Sequence, residues 1–327
     1  MIKTATHEHI AEAAEILKNG GLVGMPTETV YGLAANALDG KAVAKIFEAK
    51  GRPAFNPLII HVSDMRHAQE YGEMSEYAQI LANAFWPGPL TLIVPRKKDS
   101  GISDLATAGL DTVALREPAH PVAQGLIKTS GLPIAAPSAN KSGSLSPTTP
   151  AHVHDSLGDA VDMILAAGAC TVGLESTVLD VSGAVPVILR PGAITAEQIG
   201  ELLGMEIAIA EAENEAPKSP GMLLKHYAPN TPLRLNAIDL EEGEALLAFG
   251  SDKFMGIKNG GRAAGLPDEM RRNLSEEQDL QEAAANLFSM LKELDQSGAT
   301  TIAVMAIPQT GIGVAINDRL SRAAKRD

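Results

Sequence analysis

The sequence predicts an α/β protein of two domains, and three observations carry that prediction. Short apolar runs alternate with segments of helical period along the 327 residues, the pattern that α/β folds require. Alanine and glycine are plentiful while Phe, Trp and Tyr together make up only 3% of the chain, which suits helices packed closely on sheets. Near residue 210 the composition turns acidic and Ala-rich, and the α/β pattern then begins again, in a chain long enough for two cores.

Taken in order, Thr6 to Asn19 has helical period, with Thr6 as cap and Gly20-Gly21 as stop. Leu22-Val23-Gly24-Met25 reads as a short buried strand that Pro26 ends. Asp39 caps a second helix, Gly51 stops it, and Lys50 sits in its last turn, where a cation suits the helix dipole. Leu58 to Val62 is a buried strand broken by His61. Two helices cover Met65 to Phe85, Trp86 to Pro89 is a rigid turn, and strands are expected over Leu90–Pro95, Thr112–Arg116 and Pro133–Ala136. The polar loop Pro137–Thr148 carries more hydroxyls than turn chemistry needs. Ser176–Val181 and Val185–Arg190 read as paired strands joined by a Ser-Gly turn, followed by a capped helix from Thr195 to Leu203. Domain boundaries follow: 1–210, a docking linker over 211–230 with Ser219–Pro229 as its distinctive part, and 231–327. In the last, strands at 245–249 and 301–306 and helices at 279–294 and 316–325 build a smaller α/β domain.

Composition excludes several functions. The formal net charge is −13, so no extensive face for nucleic acid is expected. The one cysteine, Cys170, rules out a disulfide framework or a multi-cysteine zinc site. No apolar run is long enough to cross a bilayer. A soluble, cytoplasmic protein is expected.

Two stretches carry chemistry. Met25 to Ala35 places two hydroxyls, a carboxylate and a phenol beside a strand end, where α/β proteins hold ligands. Lys50-Gly51-Arg52-Pro53 sets two cations together at a helix end, with Asn56 and His61 close behind. Arg116 and Arg190 each close a strand, and strand-terminal arginines in an acidic protein suggest a focused positive pocket. Each of these has a plainer reading, as a solvated helix end, a core histidine or a surface ion pair. Elsewhere the plain reading prevails. No Walker loop is present, Gly311-Ile312-Gly313 is only a partial dinucleotide fingerprint, and the His7/His9 and His152/His154 pairs lack partners for a metal set.

Five ordered motifs together resemble a known family. They are Pro26 to Leu33, Lys50 to Pro53 with Asn56-Pro57-Leu58, Ser138 to Asn140 with Ser142-Gly143 and Ser146 to Thr148, Glu175 to Val178, and Arg190-Pro191-Gly192. They look like the YrdC-like domain of threonylcarbamoyl-AMP synthases, and Ser219–Pro229 with the second domain resembles that family's long form. The resemblance implies a twisted mixed sheet with a concave basic cavity, plus a Rossmann-like C-terminal domain. The implied activity is nucleotidyl transfer joining L-threonine, bicarbonate and ATP, with Mg2+ carried on the nucleotide. The product goes to a downstream tRNA threonylcarbamoyl transferase complex. Thr29, His61, Arg116 and Ser176, with the backbone near Ala136, are implied to hold threonine. Lys50, Arg52, Asn56, Thr112, Ser138, Asn140, Ser146 and Arg190 are implied to hold ATP. Lys50 and Arg52 would be the catalytic cations, and Tyr227 would close over the nucleotide. The alternatives are a relative that handles carbamoyl-adenylate and a non-catalytic RNA-binding module.

Overall fold

The computed structural model describes all residues except 54, 211–226, 253–255, 258–264 and 326–327. Most of the expected docking linker, Ser219 to His226 included, therefore lies outside the described residues. The chain divides into two compact units.

The first comprises Met1–Ser142, Ser146–Thr171 and the chain from Glu175 up to residue 210. Its strands are β1 (Ile2–Thr4), β2 (Val23–Met25), β3 (Gly32–Asn36), β4 (Ile59–His61), β5 (Leu90–Pro95), β6 (Thr112–Arg116), β7 (Ile134–Ala135), β8 (Met163–Ala166), β9 (Thr177–Asp180), β10 (Val187–Arg190) and β11 (Ala208–Ile209). Its helices are α1 (His7–Lys18), α2 (Gly40–Lys50), α3 (Met65–Tyr71), α4 (Glu76–Phe85), α5 (Asp104–Thr107), α6 (Pro121–Ser130), α7 (Pro150–Leu157) and α8 (Ala196–Leu203). The strands join in one mixed sheet, ordered β1-β8-β2-β3-β7-β4-β6-β5-β9-β10-β11.

Local chemistry sets the element ends. Thr6 Oγ1 accepts from the His9 amide and an Asp39 carboxylate oxygen from the Lys41 amide, each satisfying an orphan donor of its helix. Thr195 and Gln198 form a reciprocal capping box. Gly51 ends α2 at φ 60°, the left-handed conformation glycine takes without strain.

Strand register then builds the site. His61 pairs with Arg116, Thr91 with Val178, and Val178 with Arg190. Leu92 pairs with Leu115 in the antiparallel β5–β6 ladder, so Thr91 falls opposite Arg116 one step along. One row of residues thus crosses β4, β6, β5, β9 and β10. His61, Arg116 and Arg190 end strands that run in the same direction, which places them on one margin of the sheet.

Side-chain alternation divides the two faces. Leu58, Ile60, Leu92, Val94, Leu115 and Leu179 join the main core with α2 and α4. The opposite face carries a small apolar cluster of Ile59, Ile93, Ala114, Val178 and Leu189, flanked by His61 and Arg116. Helices α1 and α6 close a third cluster over β2, β3, β7 and β8.

The second unit holds Gly143–Leu145, Val172–Leu174 and the described chain from Tyr227 on. Its strands are β12 (Leu233–Arg234), β13 (Asp239–Leu240), β14 (Glu244–Ala248), β15 (Gly256–Ile257), β16 (Arg271–Asn273) and β17 (Thr301–Val304), with helices α9 (Leu280–Asp295) and α10 (Gly313–Ala324). Four strands form an all-parallel sheet ordered β12-β17-β14-β16, as the repeated α/β pattern predicts. Helix α10 starts a turn earlier than expected, because Gly311-Ile312-Gly313 serves as its entry turn. The partial fingerprint has that local structural reason.

Candidate functional site

Among the first unit's described residues, six charged side chains are buried: Glu28, Lys50, Arg52, Arg116, Glu175 and Arg190. All six belong to motifs singled out from the sequence. Four basic and two acidic side chains thus gather in the interior of a protein of net charge −13, and so tight a group of basic side chains suits an anionic ligand.

One half of the site is a side-chain network over the loop between β2 and β3. Thr27 and Thr29 share a hydrogen bond of 2.8 Å, and Thr27 Oγ1 also donates to the Val30 carbonyl. Arg116 Nη1 donates to Thr29 Oγ1 at 3.0 Å, Nη2 to Glu28 Oε1 at 2.5 Å, and Nε to the Gly88 carbonyl at 3.2 Å. A guanidinium has five N–H donors, so two remain. Burial pushes the Glu28 carboxyl up, but Arg116 outweighs it and holds the group below its usual range.

His61 is 3% exposed beside this pair, and its Nδ1 has no partner among the described residues. Burial and the Arg116 charge push its pKa down to about 3, so the imidazole is neutral at pH 7. Ser176 lies just before β9 rather than in it. Its Oγ bonds Thr91 Oγ1 at 2.8 Å and accepts from Arg190 Nη2 at 3.1 Å, while its carbonyl accepts from the same guanidinium.

Gly192 fixes that segment. A Cβ there would lie 2.3 Å from the Thr177 amide nitrogen and 2.7 Å from the Glu175 carbonyl oxygen. Only glycine allows so close a backbone approach. Ala136 is buried at the end of β7, with its amide donating to Ile59.

The other half gathers around the end of α2. Lys50 Nζ donates to the Ser138 carbonyl at 2.5 Å and the Asn140 carbonyl at 2.6 Å. Burial, then the Arg52 charge, push its pKa well down, with Glu175 acting the other way. Arg52 donates to the Asn56 and Pro57 carbonyls. Asn56 is 1% exposed, and its Oδ1 has no partner among the described residues. Asn140 is buried and Ser138 half-buried. Ser146 is buried and donates to a Glu175 carboxylate oxygen.

The structure thus brings together Thr29, His61, Arg116 and Ser176 in one half, and Lys50, Arg52, Asn56, Ser138 and Asn140 in the other, with Arg190 joined to the first through Ser176. Ser146 and Glu175 adjoin Lys50. Thr112 opens β6 at the end opposite Arg116, ~13 Å away along the strand but on the same face, and is half-buried. Tyr227 belongs to the second unit. There its ring stacks on Phe288 at 5.5 Å, and the Arg319 guanidinium lies 5.3 Å from its centroid. Sequence reasoning gave no role to Thr91, Glu175 or Gly192, whose partners come from distant strands. Cys170 is buried and its thiol is pushed up to about 12 by burial, which makes it inert. Among the described residues no three His, Cys, Asp or Glu side chains gather as a metal cage, and no helix is long and apolar enough to cross a membrane.

The chain is similar to known proteins over nearly its whole length. Residues 15–192 match the sequence family described as "Telomere recombination" (Sua5, YciO and YrdC proteins), and residues 194–325 the one described as "Threonylcarbamoyl-AMP synthase, C-terminal domain". The chain is 43% identical to the threonylcarbamoyl-AMP synthase of Bacillus subtilis, over 96% of this chain and 92% of that protein. It is 40% identical to that of Pyrococcus abyssi, over 95% and 93%. The crystal structure of P. abyssi Sua5 complexed with L-threonine matches with a TM-score of 0.87 at 37% identity, covering 99% of this chain and 96% of that one.

Proposed function

The chain belongs to the Sua5, YciO and YrdC family in its two-domain form, and from that premise we propose that it is a threonylcarbamoyl-AMP synthase. It joins L-threonine, bicarbonate and ATP into threonylcarbamoyl-AMP and pyrophosphate, for threonylcarbamoyladenosine modification of tRNA. The observation that carries this reading is the gathering of the first unit's buried basic side chains, Lys50, Arg52, Arg116 and Arg190, into one site with Thr29, His61 and Ser176. Two distinct halves suit two substrates.

Chemically, threonine's amine takes up bicarbonate carbon as a carbamate with loss of water. A carbamate oxygen then attacks the α-phosphorus, the bond to the β-phosphate oxygen breaks, and pyrophosphate leaves. The protein's part in such nucleotidyl transfer is positioning and charge neutralisation. The two remaining Arg116 donors suit threonine's carboxylate in bidentate fashion. Neutral His61 accepts a hydrogen bond from the amino acid, and Thr29 and Ser176 offer hydroxyls. Lys50, Arg52 and Arg190 neutralise phosphate oxygens, with Asn56, Ser138, Asn140 and Ser146 as polar partners.

The face between Arg116 and Thr112, with its apolar cluster, gives the nucleoside a surface of the right length. Mg2+ would be carried on the nucleotide by phosphates and water, as hard cations of this size keep most of their hydration, and would add to the charge neutralisation that Lys50, Arg52 and Arg190 supply. Tyr227 closing over the nucleotide is part of the same proposal, as are the domain limits 1–210, 211–230 and 231–327, the cytoplasmic location and the hand-over to a transferase complex.

The test is pyrophosphate release by the full chain. Release that requires threonine and bicarbonate together is expected. ATP turnover that threonine fails to raise sinks the synthase reading.

A further inference from the structure

Glu28 is buried, yet the chemistry above gives it no work. It carries charge into a site whose ligands are anions, which is a cost unless the carboxylate does something there. Its two oxygens go to different elements. Oε1 accepts from Arg116 Nη2 at 2.5 Å, and Oε2 accepts from the Ala119 amide at 3.1 Å. Ala119 lies in the turn after β6, three residues beyond Arg116. That turn is tied to the Trp86–Pro89 turn, because the Gly88 amide donates to the Glu117 carbonyl and the Gly88 carbonyl accepts from Arg116 Nε.

The guanidinium is therefore gripped through three N–H groups by two segments: Glu28 and Thr29 from the β2–β3 loop, and Gly88 from the turn before β5. An arginine side chain has several rotatable bonds and a planar fork whose value lies in its orientation. Of the three grips, only Glu28 meets the guanidinium with an ionised acceptor, which makes the strongest bond of the three. Glu28 is 8% exposed and shares Arg116 with Thr29, so it lies within the amino-acid half.

We propose that Glu28 is a positioning residue: its carboxylate, held in place by the Ala119 amide, sets the Arg116 guanidinium so that its two remaining N–H donors meet the amino acid's carboxylate. This rests on the reading that Arg116 binds that carboxylate. A purely structural ion pair would stabilise the turn and leave threonine affinity alone, whereas a positioning residue acts on threonine and spares the nucleotide.

The experiment uses the full chain and threonine-dependent pyrophosphate release. Arg116→Lys comes first, because it tests the underlying reading. It should raise the threonine KM by about tenfold or more and leave the ATP KM within about twofold. An unchanged threonine KM overturns that reading by itself. Given the rise, Glu28→Gln should raise the threonine KM by about tenfold, with the ATP KM and the kcat at saturating threonine within about threefold. In the Arg116→Lys background the same change should add less than about twofold, since coupled residues are not additive.

Glu28→Asp keeps the charge but draws it back by one methylene, and should show a smaller rise of the same one-sided kind. A folded Glu28→Asp with an unaltered threonine KM overturns the proposal, whether or not Glu28→Gln folds. An equal rise in both KM values, or a full additive effect on top of Arg116→Lys, overturns it as well.

Discussion

The two halves of the site are built from different bonds. In the amino-acid half, side chains hold side chains: Thr27 and Thr29 share a hydrogen bond, and Thr29 and Glu28 both hold Arg116. In the phosphate half, side chains hold main chain: Lys50 grips the Ser138 and Asn140 carbonyls, and Arg52 those of Asn56 and Pro57. The first arrangement is preorganised, with two guanidinium donors left over. The second makes its cations responsible for the shape of the loops that they will share with phosphate. The halves should therefore fail differently when residues are removed.

The largest effect is expected where one position serves both halves. Gly192 lies against the backbone of Glu175, Ser176 and Thr177. Glu175 adjoins Ser146 and Lys50, and Ser176 adjoins Thr91 and Arg190. Gly192→Ala should cost about 3 kcal/mol of stability by overpacking and weaken threonine and nucleotide binding together. Thermal unfolding and calorimetric titration with each ligand check this. If only one ligand is affected, the segment does not bridge the halves.

Lys50→Met comes next and should separate them. Removing a phosphate-side cation is expected to lower turnover about 100-fold while threonine binding stays within about twofold. Stability should move little, about 1 kcal/mol either way. Loss of a buried amine relieves desolvation, but two loop carbonyls are left without their donor. Steady-state pyrophosphate release and threonine titration make the measurement. A fall in threonine affinity equal to the fall in turnover would erase the distinction between the halves.

What the sequence disclosed follows the same division between local and distant chemistry. Caps at Thr6, Asp39 and Thr195, the stop at Gly51 and the cations at Lys50, Arg52, Arg116 and Arg190 all depend on near neighbours, and all stand where the pattern put them. Strand β3 was absorbed into the polar motif that precedes it. Helices α6 and α7 went unread because Pro121 and Pro150 open them and their faces are short. The row from His61 to Arg190 arises from register between strands far apart in sequence, which no local pattern encodes. The role of Glu28 is not legible locally, because its partner, Arg116, is 88 residues away. Thr91 carries no local signal, Glu175 and Gly192 stand in motifs without a role of their own, and only the folded backbone gives the three work.

Ser176→Ala tests how much the amino-acid half depends on one hydroxyl. Thr91 Oγ1 and Arg190 Nη2 both bond it, so truncation leaves two buried polar groups short of a partner. About a tenfold rise in threonine KM is expected, with a smaller change for ATP because Arg190 keeps the Ser176 carbonyl. A rise confined to ATP would assign Ser176 to the other half.

The smallest effect concerns pH. His61 has its pKa lowered from 6.5 to about 3 by burial and by Arg116. Its unfolded form therefore binds more protons than its folded form between those values, and stability contributed by the neutral ring is full above pH 6.5 and lost as pH falls towards 3. In the window from pH 6.5 to 5, His67 and His120, whose pKa values burial also lowers, respond alike in parent and variant, so the difference between the two proteins reports His61. Across it, the His61→Asn protein should lose on the order of 1 kcal/mol less stability than the parent chain. Glu28 does not disturb this comparison, because its lowered pKa places its own contribution at more acid pH. Urea unfolding at pH 6.5 and pH 5 gives both slopes. Parallel slopes would mean that His61 becomes protonated in the folded chain, and the amino-acid half would then carry a further positive charge instead of a neutral acceptor.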